Sequence, residues 1–228
     1  MSIAQNLTQV LAGIRQAAER AGRDPATVRL VAVSKTKPAE MINQALDAGQ
    51  VLFGENYVQE AQAKIPQVGP GPCWHFIGHL QSNKAKVAAQ LFDLVQTVDR
   101  LKLARALERH AGQAGKTLEV LLQVNVGGEV QKAGCSPAEA PALAQAVAEM
   151  PHLRLRGLMT MPPFFDQPER VRPFFAELRE LAERLRPDLP PGSMDELSMG
   201  MSGDYPAAIE EGATLVRVGT AIFGSRGY

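Results

Sequence analysis

Two groups of residues in this sequence have the types and positions that could do chemistry. The first is Lys35, which ends the apolar, β-branched run of residues 28–35. An amine at the end of a buried strand can react with a carbonyl group, although a surface lysine whose aliphatic stem lies along the strand would have the same pattern. The second group consists of small and hydroxyl residues in two late segments, 199–204 and 216–220.

The two late segments have the composition of an anion site. In residues 199–204 an apolar run passes through glycine into a predicted helix start, where backbone N–H groups and the Ser202 hydroxyl would face a ligand. Residues 216–220 add Gly219 and the Thr220 hydroxyl on the next predicted strand. Two ordinary glycine turns, with Ser202 as a helix cap, would look the same. The residues themselves leave both interpretations open.

These residues must be positioned by a repeating fold, because about eight apolar segments alternate with helical segments along the 228 residues. Such alternation predicts parallel strands with helical crossovers, and eight units close a (β/α)8 barrel. We therefore predict an α/β protein with one TIM-barrel domain, residues 1–228. The alternative is an open doubly wound sheet, which would carry a glycine-rich turn after the first strand. Residues 34–38 contain no glycine.

The apolar periodicity gives the predicted boundaries of the elements. The strands are predicted at residues 28–35, 51–56, 74–78, 93–98, 118–126, 153–161, 197–201 and 214–223. The helix at residues 2–21 precedes the first strand, and we expect this extra helix to cover the gap beside the last strand. The longest helix is predicted at residues 169–186. Ser82 and Asp99 are predicted to cap two of the other helices.

Charge and composition exclude several classes of protein. The 24 basic and 24 acidic residues balance, and no basic patch favours nucleic acid. There is no apolar run long enough to span a bilayer and no signal-peptide pattern. Cys73 and Cys135 lack the spacing of metal ligands, so we expect two thiols, a cytoplasmic location and no metal site. A sugar-phosphate enzyme would place paired carboxylates or a metal at the strand ends, but only Glu55 and Asp99 occur there, well separated.

Barrel closure would bring Lys35 and the anion segments together, because the first and eighth strands are neighbours in a closed barrel. A ligand with an aldehyde at one end and a phosphate at the other would suit both groups. Pyridoxal 5′-phosphate is such a ligand, and lysine forms a Schiff base with it. The residues thus predict this cofactor.

Five segments resemble the pyridoxal phosphate homeostasis protein family, also described as YggS-like or proline-synthetase co-transcribed proteins. They are residues 32–35 (AVSK), 53–57 (FGENY), 74–84 (WHFIGHLQSNK), 197–202 (LSMGMS) and 216–224 (VRVGTAIFG), and the resemblance covers nearly the whole chain. It implies a barrel like the N-terminal domain of alanine racemase. It also implies intracellular homeostasis of pyridoxal phosphate (PLP), by buffering the cofactor and delivering it to PLP-dependent apo-enzymes.

The resemblance implies roles for individual residues. Lys35 would carry the cofactor covalently, Arg217 would face its pyridine nitrogen, and Asn56 would border it. Whether His79 contacts the cofactor or packs against a helix stays open. The phosphate contacts and their neighbours in the same two segments would be Met201, Ser202, Gly203, Gly219 and Thr220. Asn125 is a further pocket candidate, whereas Met159 and Met161 are expected to be core or ring-packing residues.

Two features favour a carrier over an enzyme. A guanidinium can only donate hydrogen bonds, so Arg217 would leave the pyridine nitrogen unprotonated and the ring a weaker electron sink. Alanine racemase takes a second base, a tyrosine, from a C-terminal domain of its partner, and we expect none of Tyr57, Tyr205 and Tyr228 to occupy that position. We therefore expect a monomeric cofactor carrier without catalysis. The alternative is a single-domain amino-acid racemase or decarboxylase.

Overall fold

Eight parallel strands close into one barrel in chain order. The computed structural model describes residues 2–129, 131–163, 165 and 167–224, so Tyr228 lies outside the described residues. Strand β8 closes the barrel by pairing with β1 in the register Val31↔Arg217 and Ala32↔Val218. The predicted (β/α)8 barrel is confirmed. The strands are β1 Arg29–Val33, β2 Leu52–Glu55, β3 Cys73–Phe76, β4 Leu94–Val98, β5 Leu118–Gln123, β6 Leu153–Met159, β7 Glu196–Ser198 and β8 Leu215–Val218.

The helices cover the outside of the barrel and bury one apolar face each. Since the strands are covered on both sides, most of their residues are apolar. Inside the barrel, a smaller apolar cluster is formed by Val31, Leu52, Leu94, Leu121, Met159 and Leu215. The helices are α1 Ile3–Arg20, α2 Ala39–Asp47, α3 Val58–Val68, α4 Ala85–Leu91, α5 Leu101–Gln113, α6 Ala140–Ala148, α7 Arg172–Leu185, α8 Tyr205–Glu210 and α9 Thr220–Phe223.

Helix α1 occupies the place predicted for the extra helix. It begins with a capping box in which Ser2 and Gln5 exchange hydrogen bonds. It packs against α8, α9 and α2, which flank β8 and β1. Asn6 Nδ2 also donates to the carbonyl of Ile222 in α9 at 2.8 Å. The helix therefore covers the barrel beside its last strand.

The predicted ends of the last two strands were wrong. Strand β7 ends at Ser198 because Gly200 has a φ of +90°, which no strand residue adopts. Strand β8 ends at Val218, and Thr220–Phe223 forms α9 where the sequence predicted strand. Gly219 separates the two, with φ −120° and ψ −70°. Apolar character continues through both breaks, so hydropathy alone did not reveal them.

Two predicted helix caps and the longest helix were also wrong. Arg100, not Asp99, is the N-cap of α5, and Asp99 Oδ1 accepts from Arg100 Nη1 at 2.5 Å. Ser82 lies inside a 3₁₀ turn that precedes α4, rather than capping a helix. The longest helix is α1, with 18 residues, against 14 for α7. Helix α7 is shorter because Pro173 fixes its first turn and residues 168–171 form a separate 3₁₀ turn.

No helix in the described part of the chain is long and apolar enough to cross a membrane. Within the same residues, no cluster of three His, Cys, Asp or Glu side chains could hold a metal ion.

Candidate functional site

Lys35 lies at the carboxyl end of the barrel, two residues after β1, and it is half-buried. One cavity is lined by Lys35, Val33, Gly219 and Thr220, together with Thr36, Lys37 and Gly224. The structure therefore brings the predicted amine next to one of the two predicted anion segments. This proximity follows from the pairing of β1 with β8.

Gly219 allows a close approach between the two strand ends at this cavity. A Cβ atom on Gly219 would lie 3.1 Å from the carbonyl oxygen of Val33 and 3.2 Å from its Cβ. Thr220, which is exposed, is the first residue of α9. The first N–H groups of a helix have no intrahelical acceptor, so this end of α9 presents donors beside Lys35.

The second anion segment lies in the loop between β7 and α8, where Met201, Ser202 and Gly203 are all exposed. This loop is joined to β8, because Arg217 N donates to Gly200 O at 3.0 Å. Only glycine suits position 200, since a Cβ there would lie 2.6 Å from that of Ala208. The loop is thus held close to α8, while Met201, Ser202 and Gly203 stay exposed to solvent. None of its three exposed residues lines the Lys35 cavity.

Arg217 is buried inside the barrel, with 3% of its surface exposed. Its Nη1 donates to Ser198 Oγ at 2.6 Å, and its Nη2 donates to Thr160 O at 2.8 Å. Thr160 follows β6, so the guanidinium lies near the carboxyl ends of the strands. Burial lowers the pKa of Arg217 to about 10, an effect that Asp204 opposes. Arg217 therefore stays charged at neutral pH.

Arg217 ends a chain of four buried side chains, His75, Gln96, Ser198 and Arg217, which we call the interior hydrogen-bond chain. Ser198 Oγ and Gln96 Oε1 are 2.6 Å apart, and Gln96 Nε2 and His75 Nδ1 are 2.8 Å apart. The guanidinium can only donate, so the Ser198 proton must point to Gln96 Oε1. The amide of Gln96 then donates to His75. The chain thus requires His75 to accept at Nδ1 and to carry its proton on Nε2.

Burial gives His75 the protonation state that this chain needs. The side chain is 3% exposed, and its desolvation, with a smaller contribution from Arg29, lowers its pKa to about 3. The imidazole is therefore neutral at physiological pH. The sequence reasoning missed His75, Gln96 and Ser198. The available signal was that each of these polar residues lies in a predicted strand, where a buried polar side chain needs a hydrogen-bond partner.

Asn56 and His79 lie together around a second cavity, lined also by Tyr57, Phe76 and their neighbours but not by Lys35. His79 is exposed, whereas Asn56 is half-buried. The buried Asn56 Oδ1 has no hydrogen-bond partner among the described atoms. The Asn56 backbone is held tightly, because a Cβ on Gly78 would lie 2.1 Å from Asn56 O.

The remaining candidates are an asparagine, two methionines and the two cysteines, and none of them lines the Lys35 cavity. Asn125 Nδ2 donates to Glu129 O at 2.9 Å within its own loop. Met159 is fully buried in the barrel interior, as expected for a core residue, but Met161 is 38% exposed. Cys73 and Cys135 are free thiols, and burial raises the pKa of each to about 12. Neither thiol is therefore a nucleophile at neutral pH.

Residues 5–227 match the family model described as alanine racemase, N-terminal domain. A relative from Pseudomonas aeruginosa, named pyridoxal phosphate homeostasis protein, is 52% identical over 228 residues, which are 100% of this chain and 97% of the relative. A relative of the same name from Escherichia coli strain K12 is 49% identical over 233 residues, covering 99% of this chain and 97% of the relative.

Two solved structures are similar to this chain, one of them in sequence as well as in fold. The structure of PipY from Synechococcus elongatus with PLP bound has a TM-score of 0.85 and 39% sequence identity, covering 98% of this chain and 100% of PipY. Alanine racemase from Corynebacterium glutamicum has a TM-score of 0.74 and 18% identity, covering 98% of this chain and 61% of the racemase. The racemase comparison shows the fold alone.

Proposed function

We propose that this chain, which belongs to the alanine racemase N-terminal domain family, binds pyridoxal 5′-phosphate as a Schiff base on Lys35 and acts in intracellular homeostasis of that cofactor. The observation that carries the proposal is the cavity that Lys35 shares with Gly219 and Thr220. It supports a ligand that has a carbonyl group and an anionic group. The relatives named for PLP homeostasis and the PLP-bound PipY structure support the same ligand.

The residues present fit this cofactor. Lys35 is half-buried, and the start of α9 offers backbone donors beside it. A Cβ on Gly219 would crowd the backbone of Val33 at 3.1 Å, so glycine keeps the space between the two strand ends open. The unpaired buried Oδ1 of Asn56 is a further acceptor near the carboxyl ends of the strands.

Each group of residues has a proposed role. Lys35 would hold the cofactor through its amine, and the cofactor would supply the aldehyde group for the Schiff base. Ser202, Gly203, Gly219 and Thr220 bind the phosphate through backbone N–H groups and hydroxyls. Met201 and Asn56 border the site. His79 lines the second cavity together with Asn56 and is a further proposed contact of the cofactor.

Arg217 is proposed to direct a donor at the pyridine nitrogen. Two of its nitrogens are held by Ser198 and Thr160, which fixes the plane of the guanidinium. A charged guanidinium donates a hydrogen bond but does not transfer its proton at neutral pH, so the ring nitrogen would stay unprotonated. This arrangement favours holding the cofactor over the carbanion chemistry of a racemase or decarboxylase.

The finer parts of the proposal concern partners, assembly and location. We propose delivery of the cofactor to PLP-dependent apo-enzymes by a protein that acts as a single domain and a monomer in the cytoplasm. Two free thiols support the cytoplasm. The monomer is supported by the small number of large apolar side chains that are exposed among the described residues. These side chains are Leu11, Val51, Tyr57, Met161 and Met201.

Absorption spectroscopy tests the proposal directly. The protein with added PLP should show a yellow Schiff-base band, and borohydride should fix the cofactor on the peptide that contains Lys35, as read by mass spectrometry. Lys35→Ala should abolish both signals, whereas Lys116→Ala, which removes a half-buried amine elsewhere, should retain them. A protein that stays colourless with added PLP would contradict the proposal.

Amino-acid turnover distinguishes the carrier from the enzyme. The PLP-loaded protein is incubated with a panel of L-amino acids, and the enantiomers and amines formed are quantified. A carrier should produce neither above the rate of free PLP. Interconversion of enantiomers that Lys35→Ala abolishes would instead establish the racemase.

A further inference from the structure

A second cluster of charged residues lies beside the turn that carries Lys35 and has no part in the proposed contacts with the cofactor. Its centre is Lys64 of α3, whose side chain is 7% exposed. Glu55, at the end of β2, is fully buried, and Glu60 of α3 is 25% exposed. An ammonium is costly to bury unless each of its three donors has an acceptor.

All three donors of Lys64 have acceptors. Its Nζ lies 2.8 Å from Glu55 Oε1, 2.5 Å from Glu60 Oε1 and 2.9 Å from the carbonyl oxygen of Ser34. Ser34 also donates from Oγ to Glu55 Oε1 at 2.7 Å. The cluster therefore joins α3 and β2 to the residue that immediately precedes Lys35.

The residue that follows Lys35 is bound by the same cluster. Thr36 N donates to Glu60 Oε1 at 2.6 Å. Thr36 has a φ of +64°, a conformation that is unfavourable for a β-branched residue and needs support from its surroundings. The two peptide groups on either side of the Lys35 Cα are thus hydrogen-bonded to one ion pair, that of Lys64 and Glu60.

This arrangement does more than neutralise buried charge. A buried ion pair is often no more stabilising than apolar residues of similar volume, so stability alone is a weak reason for Lys64 to be where it is. Its contacts are directed at the backbone around the proposed cofactor lysine. Since Lys64 itself is enclosed and fully hydrogen-bonded, it does not compete with Lys35 for an aldehyde.

We propose that Lys64 and Glu60 are positioning residues that hold residues 34–36 in the conformation from which Lys35 captures the cofactor. The inference rests on the proposed function, since it assigns a purpose to the conformation of that turn. It predicts that loosening the turn slows cofactor capture without abolishing the fold. The barrel core does not depend on Glu60, which is partly exposed.

Three variants test the inference. Glu60→Ala removes the acceptor of Thr36 N, whereas Glu60→Gln keeps a carbonyl oxygen in its place. Lys64→Met removes the ammonium and keeps an unbranched stem. Lys116→Met is the matched control, because Lys116 Nζ donates to a backbone carbonyl, that of Phe92, at 2.8 Å in another part of the barrel.

Two readouts are needed. In the cofactor-free protein, hydrogen exchange of the Thr36 amide should accelerate about tenfold or more in Glu60→Ala, the expected effect of losing a hydrogen bond to a charged group. The second-order rate of Schiff-base formation with PLP should fall by a similar factor in Glu60→Ala and Lys64→Met. Glu60→Gln should restore most of both values, and Lys116→Met should match the wild type.

The outcomes separate the two proposals. If the wild type forms no Schiff base, the proposed function fails, while Thr36 exchange still reports whether the ion pair holds the turn. If exchange accelerates in Glu60→Ala but the capture rate stays at the wild-type value, the positioning role is refuted. If Lys64→Met does not fold, the comparison of Glu60→Ala with Glu60→Gln decides the question.

Discussion

The protonation state of His75 gives a quantitative prediction about the barrel interior. Burial lowers the pKa of this imidazole from 6.5 to about 3 in the folded protein, whereas in the unfolded chain it keeps the ordinary value. Between these two values the unfolded chain binds a proton that the folded protein does not bind. The contribution of His75 to the free energy of unfolding is therefore constant above pH 6.5. It falls as the pH is lowered from 6.5 towards 3.

The size of the effect follows from the width of this window. One pH unit corresponds to about 1.4 kcal/mol per proton, so lowering the pH from 8 to 4.5 should cost about 3 kcal/mol through His75 alone. Other groups titrate in the same range, so the measured quantity must be a difference between variants. His75→Asn is suitable, because its side-chain oxygen can still accept from Gln96 Nε2 but does not titrate.

Urea unfolding followed by the fluorescence of Trp74, which is buried, measures the free energy at pH 8, 6.5, 5.5 and 4.5. The wild type should lose about 3 kcal/mol more than His75→Asn between pH 8 and 4.5. His152→Asn, which removes an exposed imidazole, should behave like the wild type. If wild type and His75→Asn lose stability in parallel, the pKa of His75 is the same in the folded protein and in the unfolded chain. The proton directions assigned to the interior hydrogen-bond chain would then be wrong.

Two further predictions follow from burial and close packing. Gly78→Ala should lower the free energy of unfolding by about 3 kcal/mol, because its Cβ would lie 2.1 Å from the Asn56 carbonyl oxygen. Gly203→Ala is the control: its Cβ would have no atom within 4 Å, so the urea midpoint should stay unchanged. A wild-type midpoint for Gly78→Ala would show that the backbone there can move. Cys73 and Cys135, with pKa values of about 12, should react with a thiol reagent at pH 8 at least about tenfold more slowly in the folded protein than in urea. Equal rates would contradict the inertness assigned to both thiols.

The barrel could be predicted from the sequence because its elements have simple hydrophobic signatures. Strands covered on both sides are mainly apolar, as in Arg29–Val33, where only the first residue is polar, and the helices show a period of 3.6. The ends of β7 and β8 could not be predicted in the same way. Their breaks at Gly200 and Gly219 are backbone conformations, which hydropathy does not report.

The candidate site could be predicted only in part. Lys35 and Gly219 were expected to be neighbours because barrel closure dictates it, and they line one cavity. The interior hydrogen-bond chain could not be found, because its three bonds join residues 21, 102 and 19 positions apart. Which polar residues on separate strands meet depends on the register of the closed barrel.

By itself, the sequence determined the number of strands, the order of the elements and the presence of a lysine just after the first strand. These properties follow from local hydrophobic periodicity, which needs no knowledge of distant contacts. Only the tertiary structure decided that Lys64, 30 residues after Ser34, holds the backbone beside Lys35, and that His75 is neutral. Burial and the direction of hydrogen bonds arise when distant segments pack together, so they are properties of the assembled barrel.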